Sequence, residues 1–425
     1  MSANFDTLPF RPADILLPQN CDLSLWAVVA CDQYTSQPDY WQRVAERVGS
    51  APSALRLILP ESNLDGPQVE TDIMDINNTM THWLREGQFA LLPHAMVYVE
   101  RTLDNGTVRQ GLLGMADLSQ YDYDTSAHSQ IRATEGTVLS RIPPRVAVRK
   151  NAPMELPHTM LLCDDPGQTV IQPLAAAKAH MKPLYDVELM EGGGRVAGWL
   201  LGQTELDQVA AALTALADPD AFHARYATQG EVMLFAVGDG NHSLATAREC
   251  YERQKKLTTP DRWDSLPARY ALCELVNLHD PSLEFAPIHR VVFQTNPRHL
   301  LDSLLARWPG AHLGAGAGHT LDFLSESETG KLTIPYSAAA LPVGALQEFL
   351  DEYLATHPGR VDYIHGEQVA RDFAAQPGNI AFLLPPMPKS TLFPAVLRDG
   401  VLPRKTFSMG EAQHKRFYLE GRKIR

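Results

Sequence analysis

The stretch MLFAVGDGNHSLATAREC, residues 233–250, runs a short apolar segment straight into a helical pattern. Met233–Val237 has the length and character of a core strand. Leu244, Ala247 and Tyr251 mark one face of a helix running to about Lys256. Between them stand Gly238, Asp239, Gly240, Asn241 and His242, more small and polar residues than a plain turn needs. A strand entering a helix through such a loop is a building unit of α/β folds. The first amides of the helix have no partner inside it, and with the macrodipole they favour an anion. Gly238 and Gly240 permit positive φ and close approach to the backbone. Asp239 offers the oxygen that magnesium prefers, and His242 suits phosphate contact or proton transfer near neutral pH. The plainer alternative is a turn in which Asn241 or Asp239 caps the helix. The spacing matches neither a Walker loop nor a dinucleotide fingerprint.

Outward from this stretch, Leu25–Ala30 reads as a short buried strand. It leads into a helix with Ser36 as N-cap, Tyr40, Val44 and Val48 on one face, and Gly49 as the stop. Asp32, Gln33 and Tyr34 occupy the loop between. Residues 94–117 read as a hairpin turning at Asn105-Gly106. Met160–Cys163 and Thr169–Ile171 look like strands, and Leu206–Ala217 looks like a helix. Gly192–Gly194 read as a hairpin loop between LYDVEL and VAGWLLG. After a Gly/Ala/Ser-rich patch at 306–330, helix (343–356), strand (VDYIH), helix (EQVARDFAAQ) and strand (IAFLLPP) alternate. The expectation is a mixed α/β fold with hairpins in a mixed sheet. It comprises a main domain over 1–305 and a smaller C-terminal α/β region over 306–425, whose basic tail packs back on the site.

The chain has 425 residues and a net charge of -13, enough length for a large core and too acidic for a protein whose main work is gripping nucleic acid or anionic membrane. Five scattered cysteines with no C-x-x-C argue against a disulfide framework or a zinc site. No apolar run approaches a membrane span, and the N-terminal residues lack a signal pattern. The expectation is a soluble, reduced, cytoplasmic protein.

Other segments gather charge. IRATEGTVLSRIPPR places Arg132, Arg141 and Arg145 around Glu135; the arginine fork matches phosphate or carboxylate, and the glutamate, kept ionised, suits a base. A solvated ion-pair surface is the plainer alternative. PIHR contributes His289 and Arg290, and LPRKTF contributes Arg404, Lys405 and Thr406, each beside stiffening prolines. Cys31 precedes Asp32 in a loop, where a small buried cysteine at a strand end is a simpler reading than a nucleophile.

Taken together and in order, WAVVACDQYTSQPDYW, IRATEGTVLSRIPPRV, LMEGGGRVAGW, GDGNHSLATA, PIHR and LPRKTFSMGEA resemble a bacterial group within domain-of-unknown-function family 1015. Many members carry D-G-H-H-R where this chain has Asp239-Gly240-Asn241-His242-Ser243. That loop is similar to the nucleotide loop of the ParB and sulfiredoxin superfamily, which includes free-serine kinases. The resemblance implies a ParB/sulfiredoxin-like nucleotide-binding core in which Gly240, Asn241, His242 and Ser243 meet phosphate. It also implies a link to serine metabolism. Ser243 replaces the family arginine, so the missing charge must come from elsewhere; Arg132, Arg141, Arg290 and Lys405 are the candidates.

The expected function is a nucleotide-dependent phosphotransferase acting on a small hydroxy amino acid such as serine. ATP or ADP with magnesium is the cofactor, and the partner is a small anionic or phosphorylated molecule; a homodimer is the assembly considered. Glu135, His242 and Asp239 are the catalytic candidates, with Asp239 also the metal ligand. Gly238, Gly240, Asn241, Ser243, Arg132, Arg141, Arg290, Lys405 and Thr406 line the cofactor. The rivals are a phosphatase on a phosphorylated metabolite and a non-catalytic nucleotide or metabolite sensor.

Overall fold

The computed structural model describes residues 4–35, 37–124, 128–136 and 141–425. The chain forms two compact units: Met1–Ala133, Thr137–Leu283 and Gly410–Arg425 make unit one, and Thr134–Gly136 with Glu284–Met409 make unit two. The chain thus leaves unit one at residue 283 and returns at 410. The boundary anticipated at 305/306 falls inside the helix Pro297–Arg307, which belongs to unit two.

Unit one is a mixed α/β fold built on a sheet of ten strands among the described residues. The order is Lys182–Glu188, Arg195–Leu200, Val97–Thr102, Val108–Asp117, Tyr270–Asn277, Met160–Cys163, Phe235–Asp239, Ile131–Arg132 and Tyr121–Asp122, with Phe10–Arg11 beside Val108–Asp117. Phe235–Asp239 runs antiparallel to Met160–Cys163 and parallel to Ile131–Arg132, so both pairing senses meet at the strand before the glycine-rich loop. The expected hairpin is present: Val97–Thr102 pairs antiparallel with Val108–Asp117. Gly106 takes φ 81° at its turn, and the Asn105 side chain accepts from the Thr107 amide. The triple-glycine loop likewise joins two antiparallel strands. There Gly194 has φ 75°, and a Cβ on it would lie 2.2 Å from the Thr102 carbonyl oxygen.

Two expected strands differ. Over 25–30, Asp22 caps a short helix, Leu23–Trp26, by accepting from the Ser24 amide, and only Val28–Val29 is extended. At 169–171 the Asp165 carboxylate accepts the amides of Thr169 and Val170, so those donors are spent on a loop rather than a ladder. Tyr40, Val44 and Val48 are buried on one face of Pro38–Val48, which ends at Gly49 with φ 55°. Its expected cap, Ser36, lies outside the described residues.

The C-terminal segment of unit one is threaded through its core. Phe417–Tyr418 pairs with Val28–Val29, and Arg422–Lys423 pairs with Met154–Glu155. Arg416 is buried between Glu274 and Glu420 and bonds both, while Arg422 bonds Glu155, which also holds Arg149. Burial alone would pull the Arg416 guanidinium down; the two carboxylates outweigh it and hold it above its ordinary value.

Unit two carries an antiparallel sheet in the order His312–Leu313, Thr329–Ile334, His319–Ser325, Ile380–Leu383, Phe285–Phe293 and Arg360–His365, with Phe407–Met409 also on Phe285–Phe293. Its helices include Pro342–Leu354 and Glu367–Ala374, close to the expected spans. The glycine-rich patch supplies turns and short strands inside this unit. No helix among the described residues is long and apolar enough to cross a membrane.

Removing one partner of a buried pair strands the other charge. Arg416→Met is therefore expected to destabilise unit one by about 3–5 kcal/mol, read as a lower urea midpoint for tryptophan fluorescence. A conservative surface change such as Arg298→Met is expected to shift it little.

Candidate functional site

The glycine-rich loop ends the strand Phe235–Asp239 and opens the helix Asn241–Lys255. Its N-cap is Gly240, with φ 81° and ψ 29°, so the helix start has no side chain of its own to cap it. The register of the sheet sets Met160 opposite Asp239 and so brings residues 158 and 159 against the loop. A Cβ on Gly240 would sit 3.0 Å from Thr159 and 3.1 Å from the His158 Cδ2 atom. Glycine is thus required twice, by backbone conformation and by crowding.

Charge gathers around this point. Lys415 Nζ lies 3.3 Å from Asp239 Oδ1, and both side chains are largely buried. The second carboxylate oxygen, Asp239 Oδ2, is buried with no hydrogen-bond partner among the described residues. Buried polar atoms are normally satisfied, so this oxygen marks a place for a donor or a cation. Next to it, His158 Nε2 lies 3.1 Å from Asp32 Oδ2, and His158 Nδ1 lies 2.7 Å from the Tyr418 hydroxyl. Gln33 donates to the other Asp32 oxygen at 2.8 Å.

Burial opposes the charged Asp32 carboxylate, but the His158 charge, hydrogen bonds from His158 and Gln33, and Lys415 outweigh it and hold Asp32 below the usual range. Burial also opposes the charged imidazole, yet Asp32 dominates and lifts His158 well above its ordinary value. The pair is therefore ionised at neutral pH. Burial pushes the Tyr418 phenol up, keeping it protonated.

The residues named from sequence divide between the units. Gly238, Asp239, Gly240, Asn241, His242 and Ser243 form the loop and first turn of the helix in unit one; Asn241 is buried, and His242 and Ser243 are half-buried. The His242 carbonyl accepts from the Thr246 hydroxyl. Arg132 is also in unit one, but it is buried, and it donates to the carbonyls of Ser129 and Glu231. Arg141 is exposed at the start of the Ile142–Arg149 helix.

Glu135, Arg290, Lys405 and Thr406 belong to unit two. There the Glu135 carboxylate accepts the Lys405 backbone amide, and Lys405 itself takes φ 57°. The Thr406 hydroxyl donates to the Pro403 carbonyl. Arg290 is fully buried: it bonds Gln347 and the carbonyls of Ile288 and Arg404, and its guanidinium lies over the Tyr363 ring. Burial pulls it down to about 10.

The cation found beside the loop is Lys415, which the sequence reading passed over, as it passed over His158 and Tyr418. The available signals were faint: a histidine two residues before the Met160–Cys163 strand, and the basic, aromatic character of the tail. Among the described residues there is no cluster of three or more His, Cys, Asp or Glu side chains arranged to hold a metal. A magnesium ion needs only one or two carboxylates when substrate phosphates supply other oxygens, and Asp239 Oδ2 fits that description.

The chain belongs to the family described as protein of unknown function DUF1015, whose model matches residues 8–350. No curated protein matches it. Among solved structures it is similar to a free serine kinase in complex with AMP, at 10% identity and a TM-score of 0.40, covering 73% of this chain and 91% of that one. It is similar to a conserved hypothetical protein from Pyrococcus furiosus at 11% identity and a TM-score of 0.35, covering 72% and 90%. SbnI from Staphylococcus aureus, with a C-terminal truncation, gives 7% identity and a TM-score of 0.38, covering 72% and 85%.

The ion pair carries a pH signature. The raised His158 contributes stability that is fully present below the ordinary histidine value of 6.5 and is lost as pH rises toward its folded value. The depressed Asp32 contributes stability that is lost only as pH falls below its ordinary 3.8. The melting-temperature difference between the native protein and Asp32→Asn is therefore expected to be steady between about pH 5 and 6.5 and to shrink above that, in thermal scans across buffers.

Proposed function

We propose that unit one is a nucleotide-dependent phosphotransferase, with the phosphates seated at the start of the Asn241–Lys255 helix and a small hydroxy amino acid such as serine as acceptor. The observation that carries this reading is the unsatisfied, buried Asp239 Oδ2, set between a glycine-capped helix start and Lys415. Such a place suits a polyanion together with the cation that accompanies it.

In this reading Gly240 lets the phosphate approach the backbone, while the helix amides and Lys415 oppose its charge. Lys415 thereby supplies the positive charge that Ser243 lacks. Asp239 would hold magnesium, which supplies charge neutralisation on the transferred group when bound. His242 lies on the first turn for contact with phosphate. The ionised Asp32–His158 pair fixes the wall against which Gly240 packs. The buried donors of Arg132 and Arg290 already serve protein carbonyls, so the reading does not draw on them. Nor does it require Glu135, Lys405 or Thr406.

Calorimetry with ATP, ADP and AMP, each with and without magnesium, tests the seat; phosphorus NMR with added serine tests transfer. Lys415→Met is expected to weaken nucleotide binding about 10- to 100-fold, the scale of one charge-assisted contact. Asp239→Asn is expected to abolish the magnesium dependence. Thermal melts of both variants separate lost binding from lost folding. No binding of any nucleotide by the folded native protein would refute the proposal, and binding without turnover on any acceptor would make the protein a sensor instead.

A further inference from the structure

Cys31 stands where the chain passes from the Val28–Val29 strand into the loop containing Asp32. Its sulfur lies 4.0 Å from His158 Nδ1, and its amide donates to the Tyr418 hydroxyl at 3.1 Å. His158 turns its other nitrogen to Asp32. The carboxylate therefore orients the ring, and the ring's Nδ1 bonds the Tyr418 hydroxyl at 2.7 Å and lies 4.0 Å from the sulfur, a relay of the kind that assists nucleophiles. The Tyr418 hydroxyl reaches the same sulfur as a second polar neighbour.

We propose that Cys31 is an activated nucleophilic thiol, a modification site for hydroperoxides and other small soft electrophiles, sustained by His158, Asp32 and Tyr418. A charged imidazole and a hydroxyl set against a sulfur oppose the charge that develops as it reacts. The imidazole is His158, which Asp32 holds in its charged form. Lys415 acts on Asp32 from the neighbouring side. The other four cysteines are differently placed. Cys163, Cys250 and Cys273 are buried, and burial pushes each thiol up. Cys21 is half-buried like Cys31, but burial, and then the Asp22 charge, push it up as well.

With hydrogen peroxide, the Cys31 thiolate attacks one peroxide oxygen. The S–O bond forms as the O–O bond breaks, and the departing hydroxide takes the Tyr418 hydroxyl proton, which His158 Nδ1 replaces, and leaves as water. The sulfur is oxidised by two electrons to a sulfenic acid and the peroxide is reduced. With iodoacetamide, the same sulfur forms a carbon–sulfur bond and expels iodide. Neither step depends on the phosphate-site reading.

The test is competitive labelling of the native, full-length protein with limiting iodoacetamide at pH 7, followed by digestion and mass spectrometry of all five cysteine sites. Cys31 is expected to label at least about tenfold faster than Cys21, which corresponds to about 1.4 kcal/mol of barrier. Equal rates at Cys21 and Cys31, or no labelling of Cys31, would overturn the proposal. His158→Gln and Tyr418→Phe are each expected to slow Cys31 labelling while leaving Cys21 unchanged, with circular dichroism confirming the fold. Unchanged Cys31 labelling in both folded variants would also overturn it. Peroxide treatment followed by dimedone trapping is expected to place the adduct on Cys31, and adducts spread evenly over the cysteines would count against the assignment.

Discussion

Arg416, shared between Glu274 and Glu420, is the interaction on which unit one turns. Three buried charges cost heavily unless each finds its partners, and here the guanidinium bonds both carboxylates while Tyr185 bonds Glu420. The arrangement locks the register of the C-terminal segment against the strand Val28–Val29, where the Ala30 amide donates to the Arg416 carbonyl at 2.8 Å. Lys415 precedes that residue, and Tyr418 follows two residues after it. One places an ammonium against Asp239, and the other places a phenol against His158. The chemistry of the candidate site therefore inherits its geometry from an ion pair that takes no direct part in it.

Local chemistry made much of the fold legible. Asn105-Gly106 announces its turn because so few residues tolerate the required backbone, and the helices show their 3.6-residue period. The failures are also local. The carboxylates of Asp22 and Asp165 captured nearby amides and diverted segments that apolar content alone would extend. Of the candidate site, the sequence could name only the contiguous part, Gly238–Ser243. His158 reaches Gly240 through the pairing of Met160 with Asp239, and Cys31, Asp32, Lys415 and Tyr418 come from opposite ends of the chain. No spacing rule in a single sequence encodes such long-range register.

The arginines show why charge alone misleads. Arg132 and Arg290 read as open anion receptors in the sequence, yet both are buried, with donors committed to carbonyls. A guanidinium leaving water needs acceptors for its planar fork, and backbone carbonyls are the commonest supply. Lysine at 415 has a compact head and pairs with a single carboxylate oxygen, leaving the second oxygen of Asp239 unanswered.

Unit two interrupts unit one between residues 283 and 410, and the two ends of that interruption are joined: Phe285 and Met409 face each other across an antiparallel pair. Bringing the ends of a long flexible segment together costs entropy that grows with its length. Once the inserted strands have paired, the same segment behaves as a short staple, and the last residues of the chain need search only a small volume to find Val28 and Val29. That pairing thus shortens the effective chain between the two outer parts of unit one from the whole insertion to a few residues.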